Sequence, residues 1–110
     1  MKIYFAVMAA VCTLTTAHAQ PYPTKPVRVV VPFAPGGGSD ITARQFSQKL
    51  SDALKQQFVV DNRGGAGGTI GSELVARSAP DGYTLMVNSM SHLGNPFVFR
   101  KLPYDTLNDF

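Results

Sequence analysis

The 110-residue chain has one cysteine, Cys12, which falls in a segment read below as a leader. Without it, the chain has neither a disulfide framework nor a thiolate metal site. The apolar run from Ile3 to Leu14 carries no charge, but it falls short of the roughly 20 residues that a bilayer-spanning helix needs. A clustered basic stripe is also missing. The formal net charge is +3, and no basic run exceeds Arg100-Lys101, which argues against nucleic acid as a partner. Beyond the leader, His92 is the only imidazole. One histidine with scattered carboxylates makes no metal site. Pairing His92 with Ser89 or Ser91 as a nucleophile lacks the support of a GxSxG elbow, so no catalytic residue is assigned.

The N-terminus does carry an export pattern. Lys2 supplies a positive charge, the apolar run follows, and Ala17-His18-Ala19 gives the small-x-small cleavage motif. Residues 1–19 therefore read as a cleaved signal peptide and Gln20 as the mature start, leaving 91 residues with a net charge of +2. Val11, the residue before Cys12, does not suit a lipoprotein site. An exported chain without disulfides points to a bacterial periplasm.

After the extended lead-in Tyr22 to Pro26, the β-branched run Val27 to Val31 predicts a strand covered on both faces. Ala43, Phe46, Leu50 and Leu54 then recur at helical spacing and predict an amphipathic helix. Phe58 to Val60 reads as a second short strand, ending at Asp61-Asn62. Ile70, Leu74 and Val75 mark a short helix to about Ser78, and Pro80-Asp81-Gly82 is a turn. Tyr83 to Val87 reads as a third strand, Asn88 to His92 as the loop leaving it, and Pro96 to Phe99 as a helical turn. The fold class is α/β: a βαβαβ unit with a mostly parallel sheet. Such a sheet ordinarily holds more than three strands, so residues 20–110 are expected to be the N-terminal part of a larger domain.

Two glycine-rich loops each follow a strand and precede a helix: PFAPGGGSD, from Pro32 to Asp40, and GGAGGTIG, from Gly64 to Gly71. With strand order 2-1-3, both open on the carboxyl edge of the sheet, where ligands gather. Helix N-termini there favour anions, and glycine lets the backbone approach closely. Gly36, Gly37, Gly38 and Ser39 would form one N–H cradle and Ala66, Gly67, Gly68 and Thr69 the other, with hydroxyls from Ser39 and Thr69. Phe33 and Ala34 would supply an apolar wall. The plainer reading is two tight connections, with Ser39 or Asp40 as an ordinary helix N-cap. For Asp40 the cap reading comes first. Neither loop has the lysine of a phosphate-binding P-loop, and Ile41 and Ile70 stand where a third dinucleotide glycine would fall. Asp61, ending the second strand, keeps one enzyme alternative: a nucleotide-dependent oxidoreductase lobe with this acid on a ribose.

The segments PYPTKPVRVVVPFAPGGGSDITAR, VVDNRGGAGGTIGSELVARSAPDGYTLMV and SHLGNPFVFRKLPYDTLNDF together resemble the Bug/TctC family, the periplasmic solute-binding proteins of tripartite tricarboxylate transporters. The resemblance runs from Tyr22 to Phe110. It implies one lobe of a two-lobed, type II periplasmic binding protein that captures a small carboxylate without catalysis, cofactor or metal. Its partners would be that solute and the membrane subunits of the transporter, and a monomer is expected. Carried over, the ligand contacts are Phe33 to Asp40 and Gly65 to Thr69, with Ser89, Ser91 and His92 in a third region. With the second lobe absent, residues 20–110 alone are expected to fold poorly and to bind carboxylates weakly or not at all.

Overall fold

The computed structural model describes residues 19–110; the leader read at residues 1–19 lies outside them except for Ala19. Strand β1 spans Val27–Val31, helix α1 Gly38–Leu54 and strand β2 Phe58–Asn62. A 3-10 turn at Ala66–Gly68 leads into helix α2, Thr69–Ala76, followed by strand β3, Thr84–Met86, and helix α3, Ser91–Val98. All strand pairs are parallel, in the order β2-β1-β3, as the sequence predicts.

This order fixes where the helices go. Right-handed crossovers to opposite sides of β1 place α1 and α2 on opposite faces of the sheet. Strand β1 is thus buried from both sides, and Val27, Val30 and Val31 have no exposed surface. Val27, Val29, Val31, Phe58 and Ala43 form one core cluster, with Leu50 and Val60 packed against it. Alternation turns Arg28 and Asp61 to the other face, where they form an ion pair.

Helix α1 buries a different stripe from the predicted one. Ala43 is buried and Leu50 half-buried, but Phe46 is 60% and Leu54 40% exposed. The buried face instead runs Asp40, Ala43, Ser47. Counting apolar residues alone placed the stripe one position off, because two polar residues lie inside. Helix α1 ends at Lys55, whose left-handed backbone (φ 56°) lets its N–H donate to the Ser51 carbonyl.

β2 ends at Asn62, where the sequence reading puts it, but two other boundaries differ. β3 is confined to Thr84–Met86. The last helix starts at Ser91 and includes both His92 and Pro96, so Ser91 and His92 are helical, not loop. Proline near a helix end forfeits only one backbone hydrogen bond, and the Phe99 N–H still closes on the Asn95 carbonyl at 2.9 Å. Among the described residues no helix is long and apolar enough to cross a membrane.

Candidate functional site

The first glycine loop leaves β1 through buried Pro32 and half-buried Phe33. Ala34, Gly36, Gly37 and Gly38 are exposed, Ser39 is half-buried and Asp40 is buried. The N-cap of α1 is Gly37, which has no side chain to cap with, rather than Ser39 or Asp40. The first helical bond joins the Ile41 N–H to the Gly37 carbonyl at 3.0 Å. The N–H groups of Gly38, Ser39 and Asp40 therefore precede the hydrogen-bond ladder and have no backbone acceptor.

Asp40 stands at the third helical position, yet its carboxylate is engaged by the loop before the helix, by the next helical turn and by the end of β2 rather than by the first-turn N–H groups. It accepts from the Gly36 N–H at 2.9 Å, Arg44 Nε at 3.0 Å and Asn62 Nδ2 at 3.0 Å. The Arg44 hydrogen bond first, then those from Gly36 and Asn62, lower its pKa from 3.8 to about 2, against the upward pull of burial. Asn62, at the end of β2, also donates to the Phe33 carbonyl at 3.1 Å and accepts from Arg44 at 3.2 Å. This closed network holds the first loop from below. Asp40 thus neither caps the open N–H groups nor points a free carboxylate at them.

The second loop has four consecutive residues at positive φ: Gly65 (130°), Ala66 (47°), Gly67 (65°) and Gly68 (88°). Only glycine takes that region without strain, so the sequence dictates this left-handed turn at three of the four positions. The Thr69 N–H and Thr69 Oγ1 both donate to the Ala66 carbonyl, the latter at 2.9 Å. Thr69 is buried, so its hydroxyl braces its own loop instead of extending the cradle.

The two loops meet. A Cβ on Gly64 would lie 3.2 Å from the Ala34 nitrogen, and one on Gly68 3.3 Å from the Phe33 ring. The hydroxyls and the ring of the third region have partners of their own. Ser89 and Ser91 hydroxyls bond each other at 2.8 Å. His92 lies 3.5 Å from Ser72 Oγ through Nδ1, stacked on Tyr104 and edge-on to Phe110. Buried Ser72 also accepts from Asn88 Nδ2 at 3.2 Å. Two further residues reach the second loop from α3: Asn95 Nδ2 donates to the Gly67 carbonyl at 3.2 Å, and the Phe99 ring lies 3.4 Å from a Cβ placed on Gly67. No local motif marks Asn95 or Phe99, because their contacts span about thirty residues of sequence.

Asp61 is not available for a ribose. Burial pushes its pKa up, but hydrogen bonds from Arg28 and Arg63 outweigh this and hold it below the usual value. Arg28 Nε donates at 2.7 Å and Arg63 Nε at 3.0 Å. Among the described residues no three His, Cys, Asp or Glu side chains gather as metal ligands. The hollows of the described chain include grooves of about 390 Å³ between α1 and β2 and about 520 Å³ beside β3.

This parallel 2-1-3 sheet with its two touching glycine loops superposes on part of solved periplasmic binding proteins. The chain belongs to the tripartite tricarboxylate transporter family receptors, whose family model matches residues 42–110. BugT of Bordetella pertussis is 51% identical over 73 residues, covering 66% of this chain and 22% of BugT. MatC of Rhodopseudomonas palustris, solved with bound malate, superposes with a TM-score of 0.76 at 41% identity, over 81% of this chain and 31% of MatC. Rpa4515 of R. palustris, solved with adipate, gives 0.75 at 41% identity, over 77% of this chain and 29% of that one. The chain spans 22–32% of the length of the curated relatives it matches.

Proposed function

We propose that this chain supplies one wall of a carboxylate-binding site in an extracytoplasmic solute receptor that serves a tripartite transporter. The observation that carries this reading is the uncapped N-terminus of α1. Asp40 is drawn back to Gly36, Arg44 and Asn62, and the N–H groups of Gly38 and Ser39 are left open beside the second glycine loop. Helix N-termini stabilise anions through such groups together with the helix dipole. Ala66 and Gly67 present exposed backbone opposite, and Phe33 and Ala34 form the apolar flank.

The malate and adipate held by the two R. palustris relatives are both dicarboxylates, and a short dicarboxylate fits this backbone-lined edge. Export to the periplasm and delivery to membrane subunits belong to the same reading. The oxidoreductase alternative loses its support because Asp61 is held by two arginines.

The test is an amide NMR titration with malate, adipate and, separately, NAD. Malate or adipate is expected to shift the resonances of Gly37 to Ser39 and Ala66 to Gly68 in a saturable way, with low affinity. NAD is expected to leave them in place. Dicarboxylate shifts confined to other residues, or a saturable response to NAD alone, would overturn the reading.

A further inference from the structure

The second glycine loop is held from a direction the sequence does not announce. Its four positive-φ residues form a turn that the Gly68 N–H closes on the Gly65 carbonyl at 3.0 Å and that Thr69 braces through the Ala66 carbonyl. These local bonds reach the Gly65 and Ala66 carbonyls but not that of Gly67, and each ordered residue costs about 1–2 kcal/mol of backbone entropy. The Gly67 carbonyl is held from α3. Asn95, only 6% exposed, donates Nδ2 to the Gly67 carbonyl at 3.2 Å. One turn further along, Phe99 lays its ring against Gly67, while Phe33 packs against Gly68 from the first loop. Gly67 and Gly68 are thus gripped between two aromatic rings and one buried amide.

We infer that Asn95 is a positioning residue for carboxylate recognition: by holding the Gly67 carbonyl it fixes the orientation of the second-loop N–H groups, with Phe99 as its apolar counterpart. The peptide plane that carries the Gly67 carbonyl also carries the Gly68 N–H, which closes the turn on the Gly65 carbonyl, so anchoring it fixes the turn that presents the Ala66 and Gly67 N–H groups. A buried amide without its acceptor would be costly, so α3 and the loop hold each other. The ligand role rests on the carboxylate reading above, whereas the brace itself does not.

The experiment therefore has two arms on the 110-residue chain. Hydrogen exchange is measured on wild type, Asn95→Ala and the near-isosteric Asn95→Asp, which keeps the size but loses the donor. The Gly68 amide, which closes the turn on the Gly65 carbonyl, is expected to exchange at least about tenfold faster in both variants, with the Val29 and Val31 amides unchanged; tenfold corresponds to about 1.4 kcal/mol of local opening. In the second arm, malate-induced shifts at Ala66 to Gly68 are expected to vanish in Asn95→Asp while those at Gly37 to Ser39 persist. Unchanged exchange at Gly68 in Asn95→Asp would overturn the brace, and faster exchange with undiminished second-loop shifts would overturn its role in recognition. Malate is titrated high enough to detect the weak binding expected of one lobe; if wild type still shows no response there, the carboxylate reading falls and takes the recognition role with it, while the exchange arm still decides the brace.

Discussion

Asp40 sits where an acidic side chain ordinarily serves the helix that carries it, yet its partners are a loop amide, an arginine one turn on and the asparagine ending the next strand. Its folded pKa, about 2, lies below the unfolded value of 3.8. The carboxylate therefore contributes stability above that unfolded value, and the contribution is lost as pH falls from about 4 through about 2. Asp40→Asn is expected to lower stability at neutral pH and to show less loss than wild type across that acid window; equal pH profiles in chemical denaturation would contradict it. Glycines divide in the same way. At Gly71 a Cβ would lie 2.7 Å from the Arg63 carbonyl oxygen and 2.7 Å from Pro32 Cβ, so Gly71→Ala is expected to cost about 3 kcal/mol in a denaturant titration. At Gly38 nothing lies within 4 Å of a Cβ, and Gly38→Ala should gain about 0.5–1 kcal/mol.

At the scale of elements, α1 provides the clearest contrast between pattern and packing. Ser47 lies on the buried face with a hydroxyl that has no hydrogen-bond partner, so Ser47→Ala is expected to stabilise the chain by about 1 kcal/mol. Phe46→Ser, at a 60% exposed position, should stay within about 0.5 kcal/mol of wild type. Thermal melts of the two variants check both, and a large loss with Phe46→Ser would restore the apolar stripe. The strands and their order were legible because β1 is apolar but for Arg28 and each glycine loop marks a strand-to-helix passage. The stripe of α1 was not, since Asp40 is buried by its polar partners Gly36, Arg44 and Asn62 rather than by its own hydrophobicity. α3 was legible only in its last turn, read at Pro96 to Phe99; its first turn from Ser91 was read as the loop leaving β3, since Ser91, His92 and Gly94 carry no apolar helical stripe.

For the whole molecule, touching glycine loops put two backbone-lined surfaces on one sheet edge, and the family match accords with that geometry. Both loops were visible in the sequence. Their support was not: Asn62, Asn95 and Phe99 act from 28 or more residues away, and spacing within one loop reveals nothing of them. His92 and its serines likewise seemed to belong to the site, but their side-chain contacts run among themselves, to Ser72 and to the C-terminal aromatics. The central claim is that open N–H groups at the start of α1 receive a carboxylate, and Gly37→Val tests it most directly. A Cβ at Gly37 comes no nearer than 3.9 Å to its neighbours, so the fold should bear the substitution at about 1 kcal/mol for a poorer N-cap. Malate binding to wild type and Gly37→Val, followed by titration alongside thermal melts, should show affinity falling at least about tenfold while the melting temperature drops by no more than about 4–8 °C. Equal malate affinity in the two proteins would contradict the account.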